Sequence, residues 1–452
     1  MLDTVLRSRH VVTPEGEHAA AIGVRDGRIA VVAPYDEPLV ATTERVLRDD
    51  LALLPGLVDS HVHLQDPGRD WEGFDSGTRA AALGGVTTVV DMPLDSIPVT
   101  LDADAVRQKV AAARGRVHVD VALWGGLTPD NLERVDELAD AGVRGFKCFL
   151  ADTGIEEFAP LGPTHLTEAL RRVGATGLTL LVHAEDAGAL AAHADHRPTR
   201  SYDEFLSRHP VSVETQAVAD VVAAVAATGM RAHVVHVSSG AGLALIAAAR
   251  AAGLPVSGET CPHYLVLDVA SADDGDTLVK VSPPVRSGEA DLLWEGLRTG
   301  VLDLVVSDHS PCALTDKLLG RGDLEAAVGG IASLQIGLPL VWTAARDRGF
   351  TLVDVARWMA QRPAELAGLD SKGAIAVGRD ADLCVLDPRA TFVVERGTLA
   401  HRLTRTPYDG RRLTGVVTET WLAGSPVDLD RPRGRVLLRG HDTIPSDRWS
   451  RP

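Results

Sequence analysis

Two histidines one residue apart, His61 and His63, close an apolar run that begins at Leu57. On a strand, alternate side chains share a face, so the two imidazoles point the same way. Paired imidazoles at a strand end are poor core material and good ligands for a divalent ion. Two ordinary hydrogen-bonded histidines would look the same, so the other candidates decide the matter. Lys147 lies inside the apolar run Gly145-Phe146-Lys147-Cys148-Phe149-Leu150. A lysine in a buried strand must lose its charge, find a partner or react. As a neutral amine it can take up carbon dioxide to form a carbamate, whose two oxygens suit a bridge between two ions. A side chain reaching to a wet rim is the plainer alternative. His183, His236 and Asp308 each end a further apolar run. Asp308 has two available jobs, as a metal ligand and as a carboxylate that takes and returns a proton. His233 falls on the opposite strand face from His236 and reads as structural, and His309 points off the face shared by the candidates. His263, in Glu259-Thr260-Cys261-Pro262-His263-Tyr264, is expected to touch substrate or to orient its loop.

These residues need elements that bring them to one place. Strand-like runs at 57–63, 87–91, 117–123, 145–149, 178–183, 231–236, 254–258 and 301–307 alternate with helical stretches at 78–83, 103–113, 129–141, 166–173, 213–228, 240–252 and 288–297. Such alternation implies a parallel sheet with crossover helices. Eight strands suggest a (β/α)8 TIM barrel, whose functional groups gather at the strands' C-terminal ends. Residues 2–53 read instead as short strands, with Asp26-Gly27 as a hairpin turn. After an expected helix over 342–361, residues 372–387 and 414–422 return to strand and turn. Neither end is self-sufficient, so residues 1–53 and 369–452 are expected to form one small β-sandwich domain beside a barrel over 54–368. The Arg- and Pro-rich tail after Pro426 is expected to be loosely held.

Composition narrows the partners. The 452 residues are 45% hydrophobic and 24% charged, which suits a globular chain with a sizeable core. A net charge of −17 argues against nucleic acid or an anionic membrane as a partner. No run reads as a bilayer span, and the N-terminus lacks the basic-then-apolar order of a signal peptide. Cys148, Cys261, Cys312 and Cys384 form no C-x-x-C pair, which favours a reducing, cytoplasmic setting. Lysine occurs only at 109, 147, 280, 317 and 372, so each one invites an explanation.

The six candidates, with the K-G-x-I-x-x-G-x-D-A-D run that begins at Lys372, resemble the cyclic amidohydrolases: dihydroorotases, hydantoinases (dihydropyrimidinases) and allantoinases. The resemblance covers nearly the whole chain. It implies two divalent ions, zinc first and iron, cobalt or manganese as alternatives, bridged by carboxylated Lys147. His61, His63 and Asp308 would hold one ion; His183 and His236 would hold the other. Several stretches look like those of allantoinases, among them Pro67-Gly68-Arg69-Asp70-Trp71-Glu72-Gly73-Phe74, Ser307-Asp308-His309-Ser310-Pro311-Cys312 and Gly330-Ile331-Ala332-Ser333-Leu334-Gln335. Asp152 stands where hydantoinases usually carry tyrosine, and no arginine follows the H-x-H pair as it does in dihydroorotases. The implied activity is hydrolysis of allantoin to allantoate, with Asp308 as the proton carrier. The implied partner is a small cyclic ureide, met by Asp95, His263, Ser282 and Ser310, in a homo-oligomer, a tetramer by analogy. Two departures stand out: Asp95 where allantoinases tend to have asparagine, and a loop after Cys312 without their prolines. The rival readings are a hydantoinase and a non-catalytic scaffold; a scaffold would be expected to have lost ligands that this chain keeps.

Overall fold

The computed structural model describes residues 1–440, and the fold is mixed α/β. The two ends of the chain share one sheet. Its order is Ser425–Pro426, Arg412–Leu422, Leu383–Val393, Ala52–Pro55, Leu2–Thr13, Gly16–Arg25, Arg28–Pro34, with Ala41–Val46 paired to Leu2–Thr13. The hairpin at Arg25 and Arg28 turns through Asp26 (φ 51°) and Gly27 (φ 74°), the left-handed pair that a two-residue turn requires. Leu6, Val11, Ile22, Leu53, Leu383, Val385 and Trp421 make a core of this sheet.

Between the ends, every pairing is parallel. Leu57–Val62, Val86–Asp91 and Asp120–Leu123 form one sheet. Gly125–Gly126, Phe146–Phe149, Leu180–His183, Ala232–Val234, Val256–Thr260 and Leu304–Val305 form another. One continuous run, 120–126, feeds both, with Trp124 N donating to Asp91 O (3.0 Å) and Gly125 N to Gly145 O (2.9 Å). On the far side, Val62 bridges to His309, and His63 N donates to His309 O at 2.8 Å. These strands are buried on both faces, which is why they read as unbroken apolar runs rather than alternating ones.

Two expectations fail. The helix expected over 342–361 is broken: Gly337–Asp347 stops, Gly349 takes φ 79°, and Leu352–Ala356 restarts behind a Thr351–Asp354 capping box before a π turn at Arg357–Gln361. The tail is not loose through residue 440. Val121 N donates to Arg435 O (2.8 Å) and Leu437 N to Val121 O (2.7 Å), so residues 435–437 form a single parallel bridge beside Asp120–Leu123. The segment Tyr202–Thr228 is long and apolar enough to cross a membrane by length and composition. It is interrupted at His209-Pro210, and Val213, Ala217, Val218, Val221 and Val225 bury its apolar face inside the protein.

The same region explains the run that begins at Lys372. Its Nζ lies 2.7 Å from Asp120 Oδ2, 2.6 Å from Asp382 Oδ2 and 3.0 Å from Asp380 Oδ2. Arg435 adds a contact to Asp120 at 3.3 Å. One buried lysine thus ties a parallel strand to the sheet built from the chain ends.

Candidate metal centre

His61 and His63 stand at the end of Leu57–Val62, and their Nε2 atoms converge on Asp308 Oδ1, at 3.3 and 3.5 Å. Two ligands about 2.0–2.1 Å from a tetrahedral zinc ion lie roughly 3.3 Å apart, so this spacing fits a shared ion. His183 ends Leu180–His183, and its Nδ1 lies 2.9 Å from His236 Nε2. His236 (φ 41°) and Asp308 (φ 45°) are both in the left-handed region, where the backbone turns just past the strands Ala232–Val234 and Leu304–Val305. Such conformations persist in non-glycine residues only where the surroundings enforce them. Lys147, on Phe146–Phe149, is 1% exposed, and its Nζ sits 4.8 Å from the Phe149 ring centre. Phe149 stacks on His183 at 4.6 Å, and the His61 and His236 rings are 5.4 Å apart. The six residues therefore form one buried cluster.

The electrostatics suit ligation. Burial lowers the affinity of His61, His183 and His236 for a proton, keeping them in the neutral form that binds a cation. Burial also lowers Lys147 to about 8, against the opposing pull of Glu259 and Asp308, so a usable fraction is unprotonated near neutral pH. Burial pushes the Asp308 carboxyl upward, but His61 and His63 outweigh it and hold the group well below the usual carboxylate range. His63 goes the other way: burial lowers it, yet its bonds to Asp308 and Asp95 carry it up to about 9. A proton there competes for the position that an ion would take.

A second layer holds the imidazoles. His61 Nδ1 donates to Glu259 Oε1 at 2.5 Å, and His63 Nδ1 to Asp95 Oδ2 at 3.1 Å. His183 Nε2 donates to Glu185 Oε2 at 2.8 Å. A carboxylate on the outer nitrogen fixes the tautomer and turns the inner lone pair toward the cation. Glu259 also receives His233 Nε2 at 3.0 Å, so His233 braces the layer from behind. Burial opposes its charge, but His61 and His233 draw it down to about 2. The sequence reading missed Glu259 and Glu185 as partners. The available signal was the second nitrogen of each predicted ligand, which must bond to something.

The amidohydrolase family model matches residues 52–427. The chain belongs to the amidohydrolase family. It is 46% identical to the allantoinase of Streptomyces avermitilis, over 97% of this chain and 99% of that one. It is 44% identical to the Saccharomyces cerevisiae allantoinase, over 85% and 86% of the two chains, and 41% identical to that of Arabidopsis thaliana, over 93% and 87%. Among solved structures, the L-hydantoinase (dihydropyrimidinase) of Arthrobacter aurescens superposes with a TM-score of 0.91 at 30% identity, over 97% of this chain and 100% of that one. The dihydropyrimidinase of Brevibacillus agri gives 0.87 at 28% identity, over 98% and 100%.

Within this amidohydrolase site the remaining candidates fall into different places. His263 is buried beside Asp308 and Cys261, and neither ring nitrogen has a partner among the described residues. Burial lowers it to about 4. Ser310 Oγ donates to Asp308 O (2.8 Å) and receives Ile331 N (3.3 Å), so its hydroxyl is already engaged. Ser282 is exposed, two residues from Lys280, whose carbonyl receives Gly330 N (2.9 Å) and Lys317 Nζ (3.1 Å). Lys317 also donates to Thr277 O at 3.2 Å and so clamps the segment before Ser282 against the loop after Cys312. His309 points away from the cluster, its Nε2 bonded to Glu72 Oε2 at 3.0 Å. Asp59, which the sequence reading passed over, receives Ser307 N at 3.2 Å on each oxygen and His61 N at 3.2 Å. It pins the strand of the paired histidines to the strand that carries Asp308.

Proposed function

We propose that this chain opens the hydantoin ring of allantoin to give allantoate. It is a cyclic-amide hydrolase of the amidohydrolase family. The observation that carries the reading is the convergence of His61 Nε2, His63 Nε2 and Asp308 Oδ1 on one point, in a chain whose nearly full-length relatives are allantoinases. In this reading His61, His63 and Asp308 would hold one divalent ion, His183 and His236 would hold a second, and Lys147, carboxylated at Nζ, would be a ligand shared by both. Zinc is our first assignment; iron, cobalt or manganese suit the same donors. When bound, such ions polarise the ring carbonyl and make a nucleophile of water near neutral pH.

The chain's own residues do the rest. The water oxygen bonds to the carbonyl carbon, and the ring carbon–nitrogen bond breaks. Asp308 takes the proton that the water releases and delivers it to the departing nitrogen. Glu259 and Glu185 keep His61 and His183 in the tautomer that faces inward. His263, with both nitrogens unpartnered among the described residues and beside Asp308, supplies a polar contact to the ring. Ser282, on the segment clamped by Lys317, is our candidate for a further contact to the ring, and Ser310 shapes the turn between Asp308 and Gly330.

We read the parallel strands as one closed (β/α)8 barrel spanning residues 54–368. The shared run 120–126 and the Val62–His309 bridge support closure on both sides. Residues 1–53 and 369–452 would form the β-sandwich domain, of which 441–452 lie outside the described residues. Four buried, reduced cysteines accord with a cytoplasmic enzyme. A homotetramer is our expectation by analogy alone.

The decisive test is Lys147→Ala, assayed for allantoin turnover and metal content with and without added zinc and bicarbonate. Loss of both is expected; retention of both would remove the bridging role. The hydantoinase structural neighbours favour a second reading, action on dihydropyrimidines or 5-substituted hydantoins. A panel of allantoin, dihydrouracil and 5-substituted hydantoins separates the two, with allantoin expected to be turned over fastest.

A further inference from the structure

Asp95 stands two residues past the Met92-Pro93 turn, and its Oδ2 lies 3.1 Å from His63 Nδ1. The opposite nitrogen of that ring is the one that faces Asp308. The Asp95 side chain is 18% exposed, so solvent screens this contact only weakly. Its backbone is left-handed, with φ 69°. Aspartate, asparagine and glycine reach that region at little cost, whereas most residues do not. The left-handed position therefore aims a carboxylate at the outer face of a candidate ligand, as Glu259 does for His61 and Glu185 for His183.

We infer that Asp95 is a positioning residue for the metal centre and not a substrate contact. It orients His63 with Nδ1 outward and Nε2 turned toward Asp308, and its charge makes the ring a stronger donor once an ion displaces the Nε2 proton. The inference rests on the reading of His61, His63 and Asp308 as metal ligands. Asparagine at this position would keep the acceptor but lose the charge; glycine would lose both and relieve the backbone.

Zinc affinity, measured by competition with a chromogenic chelator, tests this on the full chain with Asp95→Asn and Asp95→Gly. Both variants are expected to fold, since both tolerate the left-handed backbone; circular dichroism and thermal melting check that. Affinity should fall about 10-fold for Asp95→Asn and up to about 100-fold for Asp95→Gly. At saturating zinc, KM for allantoin should stay near the wild-type value. Wild-type zinc affinity in both variants together with a raised KM would overturn the inference and make Asp95 a substrate residue. A wild-type protein that binds no zinc would overturn the metal reading itself, a different and separately visible outcome.

Discussion

Two lysines in this molecule are almost equally hidden, Lys147 at 1% exposure and Lys372 at 2%, and they are set up for opposite ends. Burial depresses Lys147 to about 8, and no ion pair to its Nζ is found among the described residues. Burial acts on Lys372 in the same direction, but Asp382, Asp120 and Asp380 overwhelm it and raise the group far above an ordinary lysine. The difference teaches that depth alone does not decide whether a buried amine is reactive. What decides is whether carboxylates close around it. Lys372 is locked as a cation and serves as a joint; Lys147 is left able to lose its proton and react.

The comparison breaks most visibly at Lys147. Lys147→Ala should lower allantoin turnover by about 10³-fold or more, in the range that loss of an essential group produces. The melting temperature of the metal-free protein should hardly move, because the substitution strands no carboxylate. Lys372→Met should do the reverse. It removes the buried cation that Asp120, Asp380 and Asp382 share, leaving only the more exposed Arg435 at Asp120 and Arg28 at Asp380, and breaking such a buried network costs about 3–5 kcal/mol. Chemical denaturation should register that loss, while kcat of the protein that remains folded stays close to wild type. If Lys372→Met instead abolished activity without destabilising the fold, the division of labour between the two lysines would be wrong.

A smaller effect sharpens the same contrast. Glu259→Gln keeps a hydrogen-bond acceptor for His61 but removes the charge, and zinc affinity should drop roughly 10-fold. The smallest effect concerns Lys317, which is buried, held by the carbonyls of Thr277 and Lys280, and lowered to about 8, chiefly by burial. The unfolded chain keeps this proton up to about pH 10.4. Between the two values the unfolded state binds more protons, so this group's contribution to stability rises with pH through that window and is flat below it. The stability of wild type relative to Lys317→Met should therefore rise from pH 8 to pH 10. A difference that stays constant over that range would mean that the folded lysine keeps its proton as the unfolded one does.

Much of the site was legible because its residues are unusual for where they sit. Histidines at the ends of apolar runs and a lysine inside one, Lys147, stand out in one dimension. Their partners do not. Glu259 meets His61 across 198 positions, and Lys372 meets Asp120 across 252. No periodicity links such pairs, and an acid at a strand end has many bland explanations. Asp95 was visible as a departure from a resemblance, but its contact with His63 depends on a backbone angle that sequence does not carry. The broken helix after Trp342 was misread because apolar spacing continues across the interruption, although Gly349 and the Thr351–Asp354 pair were there to mark it. The tail was misread because composition speaks of side chains, whereas residues 435–437 are held by main-chain bonds.

The shared sheet has a consequence for how the polypeptide comes into being. Ala52–Pro55 leaves the ribosome early, yet one of its neighbours, Leu383–Val393, emerges some 330 residues later. At about 5–20 residues per second, that edge waits for roughly 15–65 s. Throughout that interval Leu53 and Leu54 lack the neighbour that finally covers them. The newborn chain should be most vulnerable to sticky encounters in that window, and a stalled or shortened transcript would leave its opening strands permanently half-dressed.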